Sequence, residues 1–531
     1  MPVQKLSQSL SQRVYSATQV LENEAKIAHQ QNIPMYQLME NAGLAFFSHL
    51  QHQFKQVANL LVVCGKGNNG GDGFVIARLA DEFGLHVTVY LCAEAEQLKG
   101  DAKRAFEYLI EKRITIIYQS EMPLEPHFIA ENGYELIVDA LFGIGFKGPL
   151  TSQYQPIISA INHSVLPVVS VDVPSGLDAT TGVVETCAIV AKQTVTFIVL
   201  KQGLLTGQAA NHVGDIYLAD LSLGESFQQD IATNVMVQIG DEHQQLNHVS
   251  NNNSAFEAKA NTKATTQAVI NLNRAASSHK GNIGLLLAVG GGQGYPGAIR
   301  LASEAALRTG ASLVAVYCHR DNYSMVLNGR PECMLSTSLA DKVSDSLHFQ
   351  KAKVLLCGPG LGRTVWGESL FKQIVLSDKP KVIDADALHF LASNFYRHDH
   401  WVLTPHPGEA AALLACSVDE IEKDRFSAVQ AIAKKYGGIC VLKGAGSLIS
   451  DGDNVWINTS GNSGMASGGM GDVLSGIIAA LLMQLDNPLD AVRWAVYLHG
   501  QAANIIAQKY GKIGMLASDL LPIIQQLVNQ K

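Results

Sequence analysis

From residue 59 onward, short apolar runs alternate with longer stretches whose apolar positions recur at helical spacing. The runs at 59–64, 86–92, 135–139, 167–172 and 194–199 read as strands buried on both faces, and the stretches between them as amphipathic helices. Alternation of this kind predicts a parallel sheet with helices on either side. An earlier helical pair, 17–28 and 35–54, is expected to pack on the outside. The pattern restarts with strands at 283–289, 312–317, 354–357, 381–383, 401–403 and 439–442, with a helix over 298–309 among them. Between the two series, 240–266 is rich in Asn, Gln, Thr and His and lacks apolar periodicity, so it reads as a domain junction or surface segment. The expected organisation is an α/β domain over 1–230, a junction over 231–270 and a second α/β domain over 271–531.

Composition agrees with two cores. At 531 residues the chain exceeds what one hydrophobic core serves, and 47% apolar against 16% charged residues suits buried parallel sheets. The net charge of −8, with no dense Lys/Arg block, provides no footprint for a nucleic-acid backbone or an anionic membrane. Anionic ligands must therefore be held locally. The eight cysteines are scattered without a CxxC pair and read as reduced core residues. With no apolar run of membrane-spanning length and no signal-like start, a cytoplasmic protein is expected. A homo-oligomer acting on small molecules is expected as well.

Two strands run into glycine-rich turns, Gly65-Lys66-Gly67-Asn68-Asn69-Gly70-Gly71-Asp72-Gly73 and Gly290-Gly291-Gly292-Gln293-Gly294-Tyr295-Pro296-Gly297-Ala298. Both fit the loose GxGxxG spacing, in which bare N–H groups meet a phosphate at a helix N-terminus, so two nucleotide-sized sites are expected. Asp72 departs from an ordinary dinucleotide turn. A carboxylate where the helix begins repels phosphate, unless it serves only as an N-cap. Together Asn68, Asn69 and Asp72 gather oxygen atoms at a strand's C-terminal end, where open α/β sheets bind ligands. Two more strand ends carry Asp139 and the run from Asp172 to Ser175. Three such ends suit a hard cation that takes oxygen ligands. Behind Asp139, Gly143-Ile144-Gly145-Phe146-Lys147-Gly148-Pro149 offers a second loop of free N–H groups.

In the later half, GNSGMASGGMGD at 461–472 precedes the apolar stretch 473–485 and predicts a glycine loop opening a buried helix. Its N–H groups and dipole form an anion hole, and Asp472 in the first turn can take a proton from a hydroxyl beside it. No GxxxxGK[ST] is present, so this is not a P-loop. Upstream, GPGLG at 358–362, DADAL at 384–388, TPHPGE at 404–409 and KGAGS at 443–447 each follow a predicted strand and line one crevice. On spacing alone His406 reads equally as a packing residue. Lys443 has a use as a point charge near nucleotide phosphate.

LMENAG at 38–43, NNGGDG at 68–73, VDALFG at 138–143 and VDVPSGLDATTG at 171–182 together resemble the NAD(P)H-hydrate epimerase family over roughly residues 15–225. The resemblance implies a Rossmann-like sandwich and a potassium ion held by Asn69, Asp139 and Ser175. It also implies a hydrated cofactor contacting Asn68, Asn69, Gly70, Gly71, Asp72, the Gly143–Pro149 loop and Asp172, with Asp172 moving a proton at the added hydroxyl. The second-half motifs, with HKG at 279–281, YPGA at 295–298 and GRPECM at 329–334, resemble the ADP-dependent NAD(P)H-hydrate dehydratase family over roughly 270–528. That likeness implies a ribokinase-like α/β sandwich. Ala298, Gly360 or Gly362, His406 and Asp472 would contact the hydrated cofactor, and Lys443, Gly444, Ala445, Gly446, Ser447 and Gly471 the nucleotide. The sequence departs from the family in two small ways: His389 follows DADAL where Asn is usual, and Ser447 stands where Thr is common.

The implied activity repairs hydrated NADH and NADPH. One domain interconverts the R and S hydrates, and the other dehydrates the S form, consuming ADP with Mg²⁺ present and Asp472 as the catalytic base. Rival readings are a ribokinase-like small-molecule kinase fused to a noncatalytic Rossmann-like binding module, and a dinucleotide-dependent dehydrogenase, which Asp72 disfavours.

Overall fold

The computed structural model describes residues 3–5, 13–112, 114–238, 272, 274–338 and 342–529. The polar stretch 240–266 lies outside the described residues. The chain divides into two compact units, Met1–Val237 and Gln238–Lys531.

In the first unit, β1 (Asn59–Cys64), β2 (His86–Leu91), β3 (Thr115–Tyr118), β4 (Leu136–Ala140), β5 (Val168–Val171), β6 (Gln193–Phe197) and β7 (Asp215–Ala219) form one sheet in the order β3-β2-β1-β4-β5-β6-β7. Every neighbouring pair among these is parallel. The strand Gln4–Lys5 adds antiparallel to the β7 edge. The order reverses between β1 and β4, which opens a crevice at their C-terminal ends. Helix α1 (Ala17–Gln30) is started by a capping box in which Ser16 Oγ accepts from Gln19 N at 3.2 Å. Helix α2 (Met35–Gln53) crosses α3 (Asn68–Phe83) at Gly43, where a Cβ would lie 2.4 Å from Val75 Cγ1. The helical pair expected on the outside also walls the crevice, through Val20, Leu21 and Glu24 of α1 and Met35, Leu38, Met39 and Ala42 of α2.

In the second unit, β8 (Leu285–Val289), β9 (Leu313–Tyr317), β10 (Cys333–Leu335), β11 (Ala352–Cys357), β12 (Lys381–Ile383), β13 (Trp401–Leu403), β14 (Ile439–Leu442), β15 (Ser447–Ser450) and β16 (Val455–Asn458) lie in the order β16-β15-β14-β13-β12-β11-β8-β9-β10. From β10 to β14 the sheet is parallel, and β14, β15 and β16 meet antiparallel. The β15–β16 hairpin turns on Asp451, whose Oδ1 accepts from Asp453 N and Asn454 N at 2.9 and 2.7 Å. Helix α4 (Pro296–Arg308) follows the β8 turn, and α5 (Met470–Leu482) packs on it at Gly476, where a Cβ would stand 2.1 Å from the Ala302 carbonyl oxygen. Helix α6 (Pro488–Tyr510) is capped by Asn487.

Candidate active sites

The first site is a cavity of about 520 Å³ at the strand-order reversal of the first sheet, a size suited to a small-molecule ligand. Its wall includes Asn68, Asn69, Asp72, Gly143, Ile144, Gly145, Phe146, Lys147 and Asp172, as expected, and adds Glu24, Lys66 and Lys201. Gly148 and Pro149 stand outside the wall. Gly70 and Gly71 turn inward, where a Cβ would meet the Gly65 carbonyl oxygen at 1.9 Å and Met39 Cε at 2.6 Å. Their part is to let α3 sit tightly on the strand end. Helix α3 begins at Asn68 with Gly67 as N-cap, so Asp72 lies a turn inside the helix and is not a cap. Burial, then the charges of Asp172 and Glu24, holds the Asp72 carboxyl well above the usual carboxylate range. Burial thus disfavours the anionic form of Asp72, which weakens the repulsion expected toward a phosphate.

Asp172 is held in the left-handed region at φ +64°, uncommon for a residue with a side chain. Its Oδ1 accepts from Lys201 Nζ at 2.6 Å, Thr196 Oγ1 at 2.9 Å and Phe197 N at 3.1 Å. Lys201 is fully buried and donates also to the Phe197 carbonyl at 2.6 Å. The pair gives the cavity floor a fixed charge arrangement. Behind it, Asp139 accepts from Ser175 Oγ at 2.5 Å, Ser175 N at 2.9 Å and Ser170 Oγ at 2.8 Å. Burial pushes this carboxyl up, and the hydrogen bonds from Ser175, Ser170 and Leu141 oppose it. Ser175 Oγ also accepts from Phe142 N at 2.8 Å, which joins the β4 and β5 strand ends. Asn69 lies against Gly143, and its buried amide nitrogen has no protein partner. Phe142 stacks on Phe146 at 5.3 Å, which stiffens the loop over the cavity.

In the second unit the first three amides of the glycine turn after β8 are taken. Gly290, Gly291 and Gly292 donate to Tyr317, Pro359 and Gly360 carbonyls at 3.1, 3.0 and 2.7 Å. These bonds clamp the start of the turn between strand ends. Gly360, at φ +57°, brings its Cα so close to Ala298 that a Cβ would lie 3.1 Å from the Ala298 methyl. The Gly362 amide is taken by Asp386 Oδ2 at 2.8 Å.

The N-terminus of α5 is open instead. Gly469, at φ +88°, is its N-cap, no side chain caps it, and Asp472 sits in the first turn. Burial first, then the charge of Asp384, raises the Asp472 carboxyl to about 7, with Lys443 pulling the other way. Lys443 Nζ bonds Asp384 at 3.0 Å and lies 3.6 Å from Glu409. Its charge is thus anchored by two carboxylates beside Gly471, at 3.3 Å from where a Gly471 Cβ would stand. Asp384 also accepts from Ser475 Oγ at 2.5 Å, fastening α5 to the end of β12. His406 caps its helix, Nδ1 accepting from Gly408 N at 3.0 Å, and leaves half its ring exposed. That geometry is a cap with an open edge, not a packed core residue. Ser447 Oγ donates to the Gly444 carbonyl at 2.9 Å. Beneath Gly444 lies the buried Arg425, whose guanidinium donates to the Lys443 carbonyl at 3.2 Å.

Sequence reasoning missed Glu24, Lys201, Asp384 and Arg425. Lys201 had a signal, a lone cation closing the apolar run TFIVLK. Asp384 stood inside a noted motif without a role. Glu24 had none, because an acid on an amphipathic helix reads as solvated.

Comparison with known proteins gives one picture for both halves. A family model described as YjeF-related protein N-terminus matches residues 35–203, and one described as NAD(P)H-hydrate dehydratase matches 286–526. The chain is similar to the bifunctional NAD(P)H-hydrate repair enzyme Nnr of Coxiella burnetii, 39% identical over 97% of this chain and 99% of that protein. It is 40% identical to the protein of the same name from Vibrio cholerae, over 97% of this chain and 98% of that one. Among solved structures, it is similar to a Bacillus subtilis ADP/ATP-dependent NAD(P)H-hydrate dehydratase co-crystallised with ATP and Mg²⁺. That match has 29% identity and a TM-score of 0.44, over 48% of this chain and 92% of that one.

Proposed function

The chain belongs to the family of bifunctional NAD(P)H-hydrate repair enzymes, and from that premise we propose which of its residues carry each half of the repair. The first unit interconverts the R and S hydrates. Asn68, Asn69, Asp72 and the loop from Gly143 to Lys147 hold the hydrated cofactor, and Asp172, oriented by Lys201 and Thr196, moves a proton at the added hydroxyl. Asn69, Asp139 and Ser175 fit a potassium ion, because each offers a side-chain oxygen and the buried Asp139 and Ser175 stand in contact at 2.5 Å. Such an ion supplies fixed positive charge near the Gly143 loop.

The second unit dehydrates the S hydrate. Asp472 takes the proton of the ring hydroxyl as that oxygen attacks the terminal phosphoryl group of ADP, releasing AMP. N–H groups from Gly468 to Gly471 face the transferred charge. Elimination of phosphate then restores the dihydropyridine ring. Hydroxide is a poor leaving group, and phosphorylation replaces it with a good one. Lys443, Gly444, Ala445, Gly446, Ser447 and Gly471 hold the nucleotide, with Lys443 acting through its fixed pair with Asp384. Ala298, Gly360, Gly362 and His406 line the hydrate's side. Mg²⁺ would enter on the nucleotide phosphates.

The observation that carries this reading is Asp472 in the first turn of an uncapped, glycine-opened helix, with its carboxyl raised to about 7, the range in which a general base is effective. The test offers the purified chain a mixed-epimer hydrate with ADP. Asp472→Ala stops all recovery of hydride-donor absorbance, whereas Asp172→Ala leaves the R epimer behind. Full recovery by either variant contradicts its assignment. The same reading takes the enzyme to be a cytoplasmic homo-oligomer. Its eight free cysteines support a reducing compartment, and sedimentation measures the assembly.

A further inference from the structure

The cavity of the first unit contains a carboxyl with no assigned part. Helix α1 turns Val20, Leu21 and Glu24 into the wall that Asp172 and Lys201 share. Val20 and Glu24 stand one helical turn apart, so the helix presents this face along its length. Three protein donors, Lys201, Thr196 and Phe197, all bond Oδ1 of Asp172. No protein donor reaches the Glu24 carboxyl among the described residues. It is half-buried and lines the cavity.

Inversion at a carbon that bears both a hydroxyl and a ring nitrogen sets a demand that one fixed carboxylate cannot meet. The C–O bond breaks on one face and re-forms on the other. One group must give a proton to the departing hydroxyl, and another must take a proton from the incoming water.

We propose that Glu24 is a second catalytic residue of this site, serving the ring face opposite the one Asp172 serves; the inference rests on the epimerase reading above. The Glu24 acid gives its proton to the hydroxyl, and the C–O bonding pair leaves with the oxygen as water. The ring-nitrogen lone pair forms a C=N bond to that carbon. A water then adds from the other face, its oxygen pair making the new C–O bond. The C=N electrons return to nitrogen, and Asp172 takes the surplus proton. One water leaves, one enters, and one proton passes from Glu24 to Asp172, returned through solvent or by the reverse turnover. Burial first, then the Asp172 charge, raises the Glu24 carboxyl to about 7, with Lys201 opposing, so both its acid and base forms are populated near neutrality. Asp72, Asp101, Lys66 and Lys147 are the other charged or titratable groups in the wall.

The experiment gives the full chain purified R hydrate in ¹⁸O-water without nucleotide, and follows epimer ratio and label in the hydroxyl. Wild type should form the S hydrate with solvent oxygen incorporated. Glu24→Gln should slow this by roughly 10²–10⁴-fold while ADP-dependent dehydration of S hydrate and the melting temperature stay as in wild type. Turnover by Glu24→Gln within about twofold of wild type overturns the proposal, as does wild-type product that keeps its original oxygen. If Glu24→Gln melts early, Glu24→Ala with added formate decides: recovery of epimerisation supports a proton-transfer role, and no recovery overturns it. A wild-type chain that leaves R hydrate unchanged refutes the epimerase reading itself, an outcome distinct from equal turnover by both proteins.

Discussion

Replacing Lys201 by methionine removes one half of a fully buried ion pair and keeps nearly the same side-chain length. Lys201 is 1% exposed, and its ammonium lies 2.6 Å from Asp172 Oδ1 and 2.6 Å from the Phe197 carbonyl. The variant leaves a buried carboxylate with only Thr196 Oγ1 and Phe197 N as donors, while the Phe197 carbonyl keeps its bond from Val199 N at 2.7 Å. Breaking such a pair from one side costs roughly 3–5 kcal/mol, far more than the pair itself contributes relative to an apolar replacement. In a unit of this size each kcal/mol moves the melting temperature by about 2–4 °C, so the transition of the first unit should fall by about 6–20 °C. Scanning calorimetry on the full chain measures it, with ADP-dependent dehydration of S hydrate as the control that the second unit is intact. Below the melting point the variant should also lose R-hydrate epimerisation, because Asp172 is no longer oriented. A first transition that moves by less than about 2 °C would refute the claim that Lys201 neutralises Asp172 inside the fold.

Dehydration should rise with pH through about 7, because Asp472 must be ionised to take a proton and its carboxyl is raised to about 7; kcat/KM against pH measures this. Asp384→Asn removes the charge that, after burial, does most to raise Asp472, so that limb should shift to lower pH; a shift upward contradicts the network. Gly444→Ala should raise the KM for ADP by tenfold or so with little change in kcat, since φ is +145° and a Cβ would meet Arg425 Nη2 at 2.7 Å. Gly476→Val should cost roughly 1–3 kcal/mol or more by forcing α5 off α4, read as a lower melting temperature of the second unit.

Both parallel sheets were legible because their strands are continuous apolar runs buried on two faces, and 59–64, 381–383, 401–403 and 439–442 fall where the pattern places them. The strand at 115–118 was not, since TIIY is an edge strand with no fully buried side chain. The hairpin 447–450 and 455–458 escaped notice because its DGDN turn resembles a loop between helices. Spacing alone also did not show that the first three glycines of the turn after β8 bond the Tyr317, Pro359 and Gly360 carbonyls. Motifs at strand ends pointed to Asp139 and Asp172, and a glycine-opened helix start to Asp472, because strand, turn and helix start fix where such residues lie. Glu24 and Lys201 depend on which helix and which strand end meet across a cavity, and no local pattern encodes that.

The central claim is that the nucleotide is consumed as a reagent by an oxygen that Asp472 deprotonates. Stoichiometry tests it most directly: purified S hydrate and ADP are mixed with the chain, and recovered NADH, AMP and inorganic phosphate are counted. The account predicts one of each per turnover and none with Asp472→Ala. Recovery of NADH at full rate without nucleotide, or a phosphate ester accumulating in place of NADH, would contradict it.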